Sequence, residues 1–172
     1  MTLRTLDLSD NSIQQNLSTI LSNVPPNLVQ ISLANNHIRG SFPTGLDSLE
    51  SLQQLDFSSN MISGSLPDLS RSYSSLQVLN LADNAGSNDT GLTGDVPAGI
   101  SNLAFLQELY LSNNRLSGGL AGLGGMPQIK KLDVSANQFT GKVPPELGSL
   151  AGEEIAGVLS LRLEYSSITR ID

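Results

Sequence analysis

One spacing constrains this chain more than any other feature. Asparagines stand at 11, 36, 60, 84, 114 and 137, with steps of 25, 24, 24, 30 and 23 residues between them. Each closes the same apolar pattern. The first unit is Leu3, Leu6, Leu8, Asn11 and Ile13, and the second is Leu28, Ile31, Leu33, Asn36 and Ile38. The third is Leu52, Leu55, Phe57, Asn60 and Ile62; the fourth is Leu76, Leu79, Leu81, Asn84 and, after an insertion, Leu92. Leu106, Leu109, Leu111, Asn114 and Leu116 make the fifth, and Ile129, Leu132, Val134, Asn137 and Phe139 the sixth. A degenerate seventh follows at Val158, Leu161, Leu163, Ser166 and Ile168. Such periodicity marks a repeat array, in which no unit can bury its apolar face alone.

The pattern dictates a structure. Residues two apart, such as Leu6 and Leu8, share one face of a strand, and Thr5, Asp7 and Ser9 take the other. Strands stacked about 4.8 Å apart join these leucines into a continuous core. Successive strands point the same way, so each unit must return along the opposite side. The expected fold is an α/β repeat solenoid with a parallel β-sheet on its concave face, in about six or seven repeats, forming one domain over residues 1–172. The chain turns sharply after each strand, next to apolar core, where backbone groups are cut off from water. An asparagine amide offers two donors and an acceptor. Asn11, Asn36, Asn60, Asn84, Asn114 and Asn137 are therefore expected to stack as a ladder that satisfies those groups.

A second signal follows each asparagine. "IRGSFP" (38–43), "ISGSLP" (62–67), "LTGDVP" (92–97) and "FTGKVP" (139–144) share one form. The glycine allows a turn that a side chain would obstruct, and the proline ends local pairing. The full unit, LxxLxLxxNxLxGxxP, resembles the plant-type leucine-rich repeat, as found in ectodomains of receptor-like kinases and receptor-like proteins and in polygalacturonase inhibitors. The resemblance covers about residues 3–150 well and 158–168 poorly. It implies a right-handed superhelix, a second short strand at each Gly-to-Pro stretch, and recognition of peptides, proteins or partner receptors.

Departures from the pattern are informative. The first repeat runs "IQQNLSTILSNVPP" (13–26) without the glycine, and the fifth, "LSGGLAGLGGMP" (116–127), lacks the proline at its place. Both leave the second strand unsupported. Members of the resembled class carry paired-cysteine caps, and this chain has no cysteine. The pattern is also already running at the first residues, so Leu6 and Leu8 would present an apolar end and a bare strand edge. These points lead to the expectation of a fragment of a longer protein, with repeats or a cap before Met1.

Composition narrows the function classes. Hydrophobic residues are 38% and aromatics 4%, so the core must be aliphatic. The net charge is -7 without basic clusters, which argues against nucleic acid as a partner. No stretch reaches the roughly 18 apolar residues of a membrane span. His37 is the sole histidine, which leaves no nucleophile–base pair or metal set. "DNAGSNDTG" (83–91) lacks EF-hand spacing and "GGLAGLGG" (118–125) lacks phosphate-loop spacing, so both read as loops, the second as flexible turn. No catalytic residue, metal or cofactor is expected.

What remains is a face. The outward strand positions include Asp7, Gln30, Ser32, Gln54, Asp56, Asn80, Glu108, Tyr110, Lys131 and Asp133. Most are small or polar; Tyr110, flanked by Glu108, Lys131 and Asp133, is the candidate hot spot. The expected function is recognition of a protein or peptide ligand, or a co-receptor, as part of a receptor-like ectodomain in signalling. The alternatives are a soluble inhibitor of an extracellular enzyme and an intracellular scaffold. Asn16-Leu17-Ser18 and Asn88-Asp89-Thr90 are glycosylation sequons, which makes Asn16 and Asn88 candidate sugar acceptors. The compartment stays open between the outer side of the plasma membrane, secretion and the cell interior.

Overall fold

A computed structural model describes residues 3–43, 49–69, 73–86, 90–149 and, as backbone, 161–162. Two parallel sheets run along it. Strands β1 (Thr5–Asp7), β2 (Gln30–Ser32), β4 (Gln54–Asp56), β6 (Val78–Asn80), β8 (Glu108–Tyr110), β10 (Lys131–Asp133) and β11 (Leu161–Arg162) form a sheet in that order. Strands β3 (Arg39–Ser41), β5 (Met61–Ser65), β7 (Gly91–Asp95) and β9 (Arg115–Ser117) form the second. Neighbours in each sheet come from successive repeats. The register is in phase, with Leu6 against Ile31, Ile31 against Leu55, Leu55 against Leu79, Leu79 against Leu109 and Leu109 against Leu132. The fold is an α/β repeat solenoid of the leucine-rich kind, with the longer sheet on its concave side.

The core is the aliphatic stack between the sheets. Ile31, Leu33, Leu79, Leu81, Leu109 and Leu111 are fully buried. Phe57, the one aromatic among the first three positions of any repeat pattern, meets Phe42 with ring centroids 5.9 Å apart. Leu66 and Val96 return to the core from the Gly-to-Pro stretch, while Val143 is half-buried.

The asparagine column is built from cross-repeat hydrogen bonds. Nδ2 of Asn60 donates to Leu33 O of the preceding repeat at 2.9 Å, and its Oδ1 accepts from Ile38 N at 3.0 Å. Asn36, Asn84, Asn114 and Asn137 make the same pair of contacts with the repeat before each. All five are buried. Among the described residues every buried side-chain nitrogen and oxygen has a partner. Asn11 differs: it is exposed, and its amide bonds only Leu8 O and Ser9 O of its own turn.

Three local outcomes differ from the sequence expectation or refine it. The fifth repeat does form the second strand, β9, which pairs with β7 through Thr93–Arg115 and Asp95–Ser117. The missing proline does not matter there, because Gly118 (φ +76°) supplies the turn and a side chain at that point would overlap the Asp95 carboxylate. The stretch 118–125 is not a flexible turn: Ala121–Leu123 is a 3-10 helix that buries Leu120 and Leu123. The first repeat has no second strand. It forms a helix, α1 (Leu17–Leu21), whose Leu17 and Leu21 are buried, and Asn16 meets Arg39 of β3 as a single bridge.

The insertion before β7 leaves the stack intact. It falls between Asn84 and Leu92, so Asn114 still reaches both Leu81 O at 2.8 Å and Leu92 N at 3.0 Å. At the ends of the insertion, Gly86 N donates to Thr90 Oγ1 at 2.7 Å. Asn88 lies outside the described residues.

Candidate functional site

The concave sheet presents its outward residues as columns, because in-register parallel strands bring equivalent positions side by side. Asp7, Ser32, Asp56, Asn80, Tyr110 and Asp133 make one column; Thr5, Gln30, Gln54, Val78, Glu108 and Lys131 make its neighbour. The ten candidate binding residues named from the sequence all fall in these two columns. Gln54 and Asp7 are exposed; Gln30, Ser32, Asp56, Asn80, Glu108, Tyr110, Lys131 and Asp133 are half-buried. The next column, Ser9, Ala34, Ser58, Ala82, Ser112 and Ser135, is small throughout, and Ala82 and Ser112 are buried.

The carboxylates of this face are oriented from within. Asp7 Oδ1 accepts from Ser9 N at 3.0 Å and Ser9 Oγ at 2.6 Å. Asp56 with Ser58, and Asp133 with Ser135, repeat the arrangement. The Ser9 hydroxyl, then the Ser9 amide, hold the Asp7 carboxyl below its usual range. Asn80 Nδ2 donates to Asp56 Oδ2 at 3.2 Å, which ties two neighbouring strands.

Glu108, Tyr110 and Lys131 form the densest cluster. Lys131 Nζ donates to Glu108 Oε1 at 2.7 Å, and the Tyr110 hydroxyl donates to Glu108 Oε2 at 2.9 Å. The Lys131 bond lowers the Glu108 pKa, and Glu108 raises that of Lys131 in return. Burial, and then the bond to Glu108, raise the Tyr110 phenol. The phenol is thus fixed at its hydroxyl while its ring stands in the central column.

Sequence reasoning missed one column completely. The residue before each ladder asparagine is left-handed: Asp10, Asn35, Ser59, Asp83, Asn113 and Ala136 have φ between 50° and 58°. Asn35 Nδ2 donates to Asp10 Oδ1 at 2.8 Å and Asn113 Nδ2 to Asp83 Oδ1 at 2.6 Å. The signal was available, since Asn and Asp tolerate this conformation best among residues with a side chain, but Ser59 and Ala136 interrupt it.

The remaining candidates are scattered. His37 is exposed on the turn before β3. Asn16 is exposed, and its Oδ1 accepts from Ser18 N at 3.0 Å and Ser18 Oγ at 2.7 Å as the cap of α1. Among the described residues no helix is long and apolar enough to cross a membrane.

The stacked parallel strands, the asparagine column and the glycine-led return define a class, and sequence comparison agrees. The leucine rich repeat family matches residues 26–85 in one form and 2–24, 105–126 and 128–150 in another, together more than half of the chain. The chain belongs to the leucine-rich repeat family. Among particular proteins, it is similar to Receptor-like protein 41 of Arabidopsis thaliana, 40% identical over 58 residues, which is 34% of this chain and 7% of that one. Receptor-like protein 39 of the same plant is 33% identical over 91 residues, 48% of this chain and 10% of that one. In structure it resembles the Arabidopsis receptor kinase HAESA, solved with the peptide hormone IDA and the co-receptor SERK1. That likeness has a TM-score of 0.79 at 32% identity and covers 98% of this chain and 26% of HAESA. The matched segments span a tenth or less of the first relatives' length.

Proposed function

We propose that residues 1–172 act as one non-catalytic recognition domain, a stretch of a receptor-like ectodomain that binds a peptide or protein ligand, or a co-receptor, on its concave sheet. One observation carries this reading: 98% of the chain is covered by its structural likeness to a receptor kinase solved with a peptide hormone and a co-receptor. The concave face adds support, because its polar groups are held in place before any partner arrives, and preorganised groups lose less freedom on binding. Surface complementarity performs this work without bond chemistry, and the sequence supplies no nucleophile–base pair for an enzyme. On this reading the segment lies outside the plasma membrane. Sugar found on Asn16 or Asn88 in the native source would support that placement and exclude an intracellular scaffold.

The test is capture of a partner by the immobilised chain, followed by direct titration of whatever is identified. Tyr110→Ala should weaken that titrated affinity by at least about tenfold, the loss typical of a central aromatic anchor. Lys131→Glu should change it too. Affinity unaltered in both variants would remove the concave face from the proposal.

A further inference from the structure

The charge pattern of the concave sheet names the chemistry of its occupant. Register brings Asp56, Asn80, Tyr110 and Asp133 together on four consecutive strands, β4, β6, β8 and β10. Tyr110 therefore stands about 4.8 Å from Asn80 on one side and from Asp133 on the other. Glu108 on the same strand and Asp133 on the next supply anions beside the ring, and Asp56 a third, two strands away. Two nearby cations are already engaged: Lys131 with Glu108 at 2.7 Å and Lys130 with the Gln107 side chain at 2.8 Å. Two of the anions are preset: the Ser58 and Ser135 amides and hydroxyls each hold one carboxylate oxygen at 2.6–3.1 Å. An ionised carboxylate accepts at about four sites, so the two bonds on Asp133, and the three on Asp56 once Asn80 is included, leave capacity for a ligand. The Tyr110 hydroxyl is fixed on Glu108, which leaves the ring rather than the hydroxyl as its binding element.

An aromatic ring flanked by oriented carboxylates suits a cation. A guanidinium suits it best, since its plane stacks on a ring while its edge donates to a carboxylate. We infer that the concave sheet takes an extended, cationic peptide and that Tyr110, between Asn80 and Asp133, receives an arginine side chain of it. This deepens the recognition reading above and rests on it.

The probes are four capped hexapeptides: (Ala-Arg)3, (Ala-Lys)3, the neutral isostere (Ala-citrulline)3 and (Ala-Glu)3. They are titrated calorimetrically into the folded chain at about 150 mM salt, where distant charges are screened. The arginine peptide should bind most tightly and the glutamate peptide least. Tyr110→Ala should weaken the arginine peptide by about tenfold, whereas Tyr110→Phe, which keeps the ring, should preserve most of the affinity. Asp133→Asn should weaken it, and Lys131→Glu should strengthen it by adding an anion. Arg162 of β11 lies in register with Asp133, so Arg162→Gln should not weaken binding. Asp10→Asn, on the outer turn, is the control for general attraction. Equal binding of the arginine and citrulline peptides would overturn the inference. So would an Asp10→Asn loss as large as that of Asp133→Asn, or a loss in Arg162→Gln. If these peptides fail while Tyr110→Ala still abolishes binding of a captured partner, recognition by this face stands and its cationic specificity falls.

Discussion

The first and third repeats carry the same five-point pattern in different surroundings. In the third, Leu55 and Phe57 are at most 1% exposed, and Asn60 binds four backbone groups on two repeats. In the first, Leu6 and Leu8 are half-buried and the Asn11 side chain reaches only its own turn. What separates the two repeats is the neighbour. A solenoid residue draws its stabilisation from the units on both sides, so identical letters contribute unequally along the stack.

The sharpest way to break this comparison is to truncate equivalent leucines. Leu55→Ala should cost about 3–5 kcal/mol, since it leaves a cavity in packed core. Leu6→Ala should cost about 1 kcal/mol, because that side chain is already partly in water. Urea denaturation of both variants checks this, and equal losses would refute the role given to the neighbour. The asparagines come next. Asn60→Ala should cost about 1–3 kcal/mol through backbone groups left unpaired in the core, and Asn11→Ala less than about 1 kcal/mol. An Asn60→Ala midpoint matching wild type would show that the column is not structural.

A smaller effect compares Asn113 with Ala136, equivalent positions in neighbouring repeats. Both are left-handed, but Ala136 has no side chain that favours it. Ala136→Gly should therefore stabilise the chain by about 0.5–1 kcal/mol, although glycine usually weakens a fold. A lowered melting temperature would contradict this. The smallest effect concerns Glu108. Its lowered pKa means the bond to Lys131 is present above the ordinary glutamate value and is lost as pH falls through the lower folded one. A carboxyl-carbon NMR titration should place its midpoint below the ordinary glutamate value, and Lys131→Ala should move that midpoint up. Lys131 behaves in the opposite sense: its contribution is present below its ordinary pKa and is lost as pH rises through the raised one.

The architecture was legible because its rule is periodic. Leucines at strand spacing, an asparagine at each turn and a glycine after it are choices of residue type, and they repeat with few errors. The same periodicity placed the columns of the concave sheet, since counting from each asparagine gives the register. Geometry that depends on backbone angles was harder to read. The left-handed column is occupied by Asp, Asn, Ser and Ala, and no single letter announces it. The aspartate-to-serine bonds were hidden for a related reason: Asp-x-Ser at 7–9, 56–58 and 133–135 looks like ordinary surface until the chain is seen to bend there. The second strand in the fifth repeat was misread because proline was treated as necessary, when the turn needs only Gly118.

The asparagine contacts have one direction. Where such a side chain crosses between repeats, it belongs to the later repeat and serves the carbonyl and amide of the earlier one, as Asn36 does for Leu8 O and Ile13 N. A repeat leaving the ribosome is therefore not finished when its own residues have emerged. It closes when the next asparagine arrives about one repeat later, so folding should follow synthesis with a lag of one unit. The most recent turn is then always the loosest, and a stalled nascent chain should be nicked by protease in its last emerged repeat and resist cleavage in the one before.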